Sequence, residues 1–454
     1  MPRAKSDRHR RHRVFIGLIE VAGYYRGLER GFREIGVEAR FYDESAHPFG
    51  YGRVGLLGRL TSATRKARAI RGAVPRGVAV GFLRALRLVA HVWLFAWAAV
   101  RYDVFIFGGG STLLRGRELP ILRRLGKRII WVFTGSDHRP PYLNGMWARG
   151  ALENGQARLL RETADAVERV RTAERYADVI VASASSAQFH RRPFVHFVSI
   201  GIATPHLPDI PASASVFHGH GVRILHCPSD PISKGTSLIR QYVDQLRVAG
   251  REIDYAEVTG RPNPEVLAAI RDCDFVIDEL YSDTPMAVFA TEASLLGKGV
   301  VVAGYYARDY ERDLGSSGDI PPTLFCAPDQ AGEAIRRMVD DVPFRAELGR
   351  RAAEFVSQRW SPSQVARRYM RLIDDDIPAE WWCEPGCIEY VMGWGLTEAL
   401  WQESLRAVVH TVGVQALAEA ANPALRQALE RVSAELPAET TKATIDTQIG
   451  ATPA

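Results

Sequence analysis

Two stretches of alternating apolar strands and amphipathic helices, parted by a segment punctuated with proline and glycine, predict an α/β protein. The expected architecture is two Rossmann-like parallel-sheet domains facing across a cleft, followed by C-terminal helices. At 454 residues the chain exceeds a single hydrophobic core, and its composition (46% hydrophobic, 24% charged) is that of a globular protein.

The first domain is assigned to residues 14–202. Val14 to Glu20 reads as a buried strand ended by Gly23. Tyr25, Leu28, Phe32 and Ile35 then recur at helical spacing up to Gly36, and Val37 to Tyr42 returns as a strand. Such a strand–helix–strand unit implies parallel pairing under a covering helix. Asp103 to Phe107 and Arg128 to Phe133 read as strands running into Gly108-Gly109-Gly110 and Thr134-Gly135-Ser136-Asp137. Arg158 to Tyr176 is a charged amphipathic helix, and Val179 to Ala182 a short strand. Pro205, Pro208, Pro211, Gly219 and Gly221 mark 203–221 as a linker.

The second domain, 222–359, is more regular. Strands at Val222 to Cys227, Ile253 to Val258, Phe275 to Ile277 and Val300 to Ala303 alternate with helices. Leu238, Ile239, Val243 and Leu246 mark one helix, Val266, Leu267 and Ile270 a second, and Val288 to Leu296 a third. Four strands and three helices make an open, doubly wound sheet, in which ligands sit beyond the carboxyl ends of the strands. Further helices are expected over 331–359 and 361–373. The extension 377–454 is Trp- and Leu-rich after Pro378 and frays beyond Glu435, where Thr, Ala and Pro dominate.

The net charge is +6, and Arg53 to Arg87 carries nine Arg or Lys with no acid, after a basic run from Pro2 to Arg13. That balance suits nucleic acid, anionic lipid or phosphorylated small molecules alike. No nucleic-acid-binding module accompanies it, so nucleic acid is not an expected partner. Ala85 to Val100, with Trp93, Leu94, Phe95 and Trp97, falls short of the ~20 apolar residues of a spanning helix and carries Arg87 and His91. Two readings stand: peripheral contact with an anionic membrane, or a solvated basic helix packed beside a core helix. The apolar run after the basic N-terminus is too short for a signal peptide and meets Glu20. Five cysteines, odd and sparse, point to a reducing, cytoplasmic setting. Cys383 and Cys387 form a lone C-x3-C that reads as ordinary buried thiols rather than a zinc site.

Two loops of the second domain carry the chemistry. In Cys227 to Thr236 (CPSDPISKGT), Lys234 and Gly235 stand where a helix begins, and Ser229, Ser233 and Thr236 add hydroxyls. Exposed N–H groups, the helix dipole and an ammonium together suit an anion. The plainer reading is a helix capped by Thr236 beside a solvated lysine. In Asp278 to Gly297 (DELYSDTPMAVFATEASLLG), Thr284-Pro285 is an N-cap and first-turn pair. Glu292 then falls on the apolar stripe of that helix, four residues from Val288 and three from Phe289 and Leu295. A buried carboxylate there needs a partner: a ligand hydroxyl pair, or a basic side chain in a structural ion pair. In the first domain Asp137, His138 and Arg139 lie in a strand-end loop suited to a ligand or to a surface salt bridge. Gly108 to Ser111 lacks the GxGxxG spacing of a nucleotide fingerprint. The tyrosines of Gly23-Tyr24-Tyr25 read as core.

PSDPISKGT followed by EASLLGKGVVVAG resembles the donor domain of GT-B glycosyltransferases, in the large retaining group with a Lys-Gly loop and an E-x7-E motif (glycosyl transferases group 1). TGSDHR at Thr134 is similar to the HGSD-like acceptor loop of these enzymes, and SPSQVARRY at Ser361 to their C-terminal crossover helix, here 360–376. The resemblance implies that Lys234 contacts donor phosphates and Glu292, the second Glu of the motif, the ribose. The first Glu of that motif is Thr284 here, the frequent Arg five before the lysine is Ser229, and the acceptor-loop His is Thr134.

The expected activity is transfer of a sugar from a nucleotide-diphosphate sugar to a carbohydrate or lipid-linked acceptor. Lys234, Glu292 and Asp137 are the catalytic candidates, and Ser229, Ser233, Gly235, Thr236 and Thr284 join Lys234 and Glu292 in binding the donor. Retention of configuration is implied by the resemblance. No metal and no cofactor beyond the donor itself is expected, because no DxD-like pair is placed for one. The alternative is a catalytically degenerate protein of the same fold that binds a sugar nucleotide or partners an active enzyme. A nucleotide-sugar epimerase and a polyol-phosphate transferase are rivals on the same fold.

Overall fold

A computed structural model describes residues 12–44, 76–204, 215–314 and 320–435 and contains two parallel sheets. The first is built from β1 (Arg13–Leu18), β2 (Glu38–Asp43), β3 (Val104–Gly108), β4 (Arg128–Val132), β5 (Val179–Ala182) and β6 (Phe194–His196), in the order β6-β5-β4-β3-β1-β2. The second uses β7 (Val222–His226), β8 (Ile253–Glu257), β9 (Phe275–Ile277), β10 (Gly299–Ala303) and β11 (Leu324–Cys326), in the order β11-β10-β9-β7-β8. In each sheet the strand order reverses beside the first strand, between β1 and β3 and between β7 and β9. Those reversals are the crevices where such sheets hold ligands.

The central strands are apolar on both sides because helices cover both faces. Phe15, Phe105, Phe107 and Trp131 face one way, and Val14, Ile16, Val104, Ile106 and Ile130 the other. The helix Pro362–Ile373 follows the second sheet yet packs on Tyr24–Glu34 of the first half. Gly31 leaves no room for a Cβ where the Pro362 carbonyl approaches, and the Tyr24 and Tyr369 hydroxyls are 2.8 Å apart.

Several expectations change. The second sheet has a fifth strand, β11, and the first gains β6 and, from far downstream, β12 (Trp382–Cys383), which pairs antiparallel to β6. At two or three residues these strands show no alternation, and unlike β9, equally short, they are not set off between two readable helices. The helices Glu398–Val412 and Pro423–Ala434 lay Leu405, Val408, Leu425 and Leu429 into the same core as Phe189 and Tyr142. Residues beyond 377 thus add a strand and core helices to the first half. Cys383 is half-buried and Cys387 exposed, so the two are not both buried thiols. The basic runs up to Arg11 and from Arg53 to Pro75, linker residues 205–214 and the tail after Glu435 lie outside the described residues. No helix among the described residues is long and apolar enough to cross a membrane.

Candidate functional site

The crevice of the second sheet is formed where β7 and β9 end. The loop after β7 turns at Gly235 (φ +71°, packed on Leu280) into the helix Thr236–Val248. Lys234 is buried there, its carbonyl accepting from Leu280 N–H at 3.2 Å. Its Nζ donates to Asp278 Oδ1 at 2.7 Å and lies 3.4 Å from Glu279 Oε2. Burial pulls the ammonium pKa down, but Asp278 and Glu279 more than reverse this and leave it raised and charged. Both carboxylates are buried, and Asp278 Oδ2 has no hydrogen-bond partner among the described residues. The solvated-lysine reading is therefore corrected: Lys234 sits inside a buried ion cluster.

The hydroxyl candidates separate. Ser229 is exposed. Ser233 is buried and its Oγ accepts from Arg149 Nη1 at 2.9 Å. Thr236 is the first helical residue rather than the cap; its Oγ1 is 2.9 Å from His226 Nε2, while His226 Nδ1 meets the Ile277 carbonyl. With Nδ1–H donating, Thr236 donates its hydroxyl to Nε2. Burial pushes the His226 pKa down to about 4, so the ring is neutral.

Thr284-Pro285 does not start a helix. Ser282 Oγ donates to the Thr284 carbonyl and accepts its N–H, closing a local turn, while the Pro285 carbonyl accepts from Thr323 Oγ1. With those groups engaged outside a helix, Val288–Leu295 begins three residues later and without a side-chain cap. Its first N–H groups point where an anion would be favoured. Glu292 is buried on this helix, with Oε1 accepting from Asn263 Nδ2 at 2.8 Å. Lys234 is held by Asp278 and Glu279 and Glu292 by Asn263, and no hydrogen bond or ion pair among the described residues joins the two.

At the strand ends of the first sheet, Asp137 Oδ1 accepts from the N–H groups of Thr134 and Gly135, each at 3.0 Å. Burial raises its pKa against the opposing pull of those donors. His138 is buried in a chain, its Nε2 2.9 Å from Ser186 Oγ and its Nδ1 3.0 Å from His190 Nε2. Burial lowers both rings, His190 to about 3. Glu20, just past β1, accepts from Val21, Tyr25 and Arg26 N–H, and burial lifts its pKa to about 7. Tyr24 and Tyr25 are buried core residues, and Ser111 Oγ bridges Gly108 to β1.

The two sets of strand ends meet. Arg139 pairs with Asp283, both buried, and Arg149 on the helix Gly145–Asn154 pairs with Asp230 at 2.7 Å. Arg139 therefore serves an interdomain contact rather than a surface one. Trp394 reaches in from the extension, its Nε1 donating to Glu279 Oε2 at 3.1 Å. Around Lys234, Arg139 and Arg149 the cations face Asp278, Glu279, Asp283 and Asp230, a slightly acidic set. The Asp278-Glu279 pair directly after a strand was the available signal for this cluster. Arg149, Asn263 and Trp394 gave none, because each comes from a different element.

No protein-family model matches this chain, and no curated protein does. Solved structures similar to it include HepE of Anabaena, in complex with UDP, at 14% identity and TM-score 0.44, spanning 80% of this chain and 100% of that one. The spinosyn rhamnosyltransferase SpnG, complexed with thymidine diphosphate, is 13% identical at TM-score 0.37, over 79% and 100% of the two chains. MurG of Acinetobacter baumannii is 13% identical at TM-score 0.36, over 80% and 99%. At these identities and TM-scores the likeness carries no argument about the chemistry of this chain.

Proposed function

We propose that the protein is a glycosyltransferase that moves a sugar from a nucleotide-diphosphate donor to a carbohydrate or lipid-linked acceptor. The observation that carries this reading is the group of polar side chains buried at the β7/β9 reversal, facing the strand ends of the first sheet. The uncapped start of Val288–Leu295 offers N–H groups to the diphosphate, and Glu292, held by Asn263, offers acceptor oxygens to the ribose. The unpartnered Asp278 Oδ2 would take a donor hydroxyl, because an unsatisfied buried acceptor is costly.

In this scheme the fixed N–H dipoles and Lys234 stabilise the departing diphosphate electrostatically, without a metal. Asp137 stands on the acceptor side, and the configuration at the anomeric carbon is retained. Incubating the protein with a panel of sugar nucleotides and acceptors tests this. Acceptor-dependent release of nucleoside diphosphate is expected, and its absence across the panel contradicts the enzyme reading.

One observation favours the second reading, a degenerate protein of this fold that binds a sugar nucleotide without turning it over. Lys234 is held by two carboxylates, which offsets the charge that a leaving group needs. Tight nucleotide binding without release would select it.

We further propose that the protein works in the cytoplasm, against the inner face of the cell membrane. The helix Arg76–Arg101 exposes Leu88, Val89, Trp93 and Val100, the last two at 68% and 81%, and Arg84 is exposed near its start. Anionic lipid attracts such cations while the aromatic ring enters the interface. Co-sedimentation with phosphatidylglycerol vesicles, absent with phosphatidylcholine and lost in Val89→Glu/Trp93→Glu, is expected. Equal binding to both lipids, or none, contradicts it.

A further inference from the structure

The extension does more than complete a core. Between β12 and the helix Glu398–Val412 the chain runs through the junction of the two sheets and bonds to both. On the first half, Trp394 N–H donates to the Leu143 carbonyl at 3.0 Å, and the Trp394 carbonyl accepts from Gly145 N–H at 2.8 Å. Gln188 Nε2 donates to the Tyr390 carbonyl at 3.0 Å. On the second half, Gly395 N–H donates to the Tyr281 carbonyl at 2.9 Å, and Glu398 N–H to the Tyr305 hydroxyl at 3.2 Å. Gly393 and Gly395 both take positive φ, and a Cβ on either would collide, with Leu143 or with Ser233. A glycine-tryptophan-glycine turn is thus the shape that passes between the loop at Leu143 and the loop at Ser233.

The indole of that turn ends on the ion cluster. Trp394 Nε1 lies 3.2 and 3.1 Å from the two oxygens of Glu279, whose Oε2 is 3.4 Å from Lys234 Nζ. We infer that Trp394 is a positioning residue for the donor site: its N–H fixes the Glu279 carboxylate and so sets where the Lys234 ammonium rests between Asp278 and Glu279. The site in the second half is then completed by a strap anchored in the first half. An N–H that bridges both oxygens of a carboxylate restrains the rotation of that carboxylate even at 3.1 and 3.2 Å. Freed from it, Glu279 rotates toward Lys234 and draws the ammonium from its place. The inference rests on the proposed nucleotide site for its consequence, but not for the coupling itself.

The test is a cycle of Trp394→Phe, Glu279→Gln and the double variant in the full chain, read in two ways. Phenylalanine keeps the ring and removes the N–H. The first reading is the ¹³Cε resonance of Lys234, assigned by its loss in Lys234→Arg and compared with Lys127 and Lys298. Trp394→Phe is expected to move the Lys234 signal alone, and to move it no further once Glu279 is Gln. The second reading is calorimetric titration with UDP and TDP. Trp394→Phe is expected to weaken binding about tenfold, the factor set by ~1.4 kcal/mol, with little added loss in the Glu279→Gln background. An unmoved Lys234 signal, or independent effects of the two changes on it, overturns the inference whether or not nucleotide binds. An unchanged affinity in Trp394→Phe, where the unaltered protein binds, overturns it as well. If the unaltered protein binds no nucleotide while the Lys234 signal responds as expected, the coupling stands and the proposed function falls.

Discussion

Burial moves the ionisable groups at the strand ends of the first sheet toward neutrality, and at the second sheet it does so for His226 but not for Lys234. In the first half burial drives them toward neutrality: Glu20 and Asp137 are raised, and His138, His190 and His196 are lowered. In the second half ion pairing outweighs burial, and Lys234 stays charged between Asp278 and Glu279. Similar burial has opposite outcomes because Lys234 has two carboxylates in contact, whereas Glu20 has one guanidinium at 3.6 Å that burial outweighs.

The largest effect expected from this contrast is on acid stability. His190, His196 and His226 have folded pKa values of about 3, 4 and 4, below the ordinary value of 6.5. Groups lowered in this way stabilise the fold above pH 6.5, and that stability is lost as pH falls through the folded values. Between pH 6.5 and 5 each would withdraw about 2 kcal/mol. Urea denaturation across that range should show the midpoint falling steeply, and a flat profile would contradict the neutral burial of these three rings, two in the first half and one in the second.

Next in size is Lys234→Met, which leaves Asp278 and Glu279 buried without their cation. Removing one member of a buried pair costs ~3–5 kcal/mol, and adding Glu279→Gln should restore part of it. Thermal unfolding of the single and double variants measures this, and a neutral single substitution would show the charges to be solvated.

Glu20→Gln is smaller and of opposite sign to the histidines. Its folded pKa of about 7 exceeds the ordinary 4.5, so its contribution is present below pH 4.5 and fades as pH rises to 7. The loss amounts to about 3 kcal/mol at most, and the variant should lack that slope. A slope unchanged in Glu20→Gln places the titration elsewhere.

Much of the fold was legible because its central strands are apolar on both sides and long enough to stand out, as at Val14 to Leu18 and Gly299 to Ala303. β6, β11 and β12 were not, since two or three residues carry no period; β9 is as short but stood between two readable helices, and β12 pairs with a strand far upstream, where Trp382 meets Val195. The loops at Lys234 and Glu292 could be found from strand-then-helix order alone. What surrounds them could not: Thr284 was assigned to a helix start because Thr-Pro is a local signal, and Ser282 and Thr323 override it through contacts across the loop. Trp394 lies 115 residues from Glu279, and nothing local to either announces the bond.

The most direct test of the donor site is a crystal structure of the protein soaked with UDP or TDP. The diphosphate is expected against the N–H groups that open Val288–Leu295, with the ribose hydroxyls on Glu292 and Lys234 within reach of the phosphate oxygens. A nucleotide bound away from the β7/β9 reversal, or one there that touches neither Glu292 nor the start of that helix, would contradict the account.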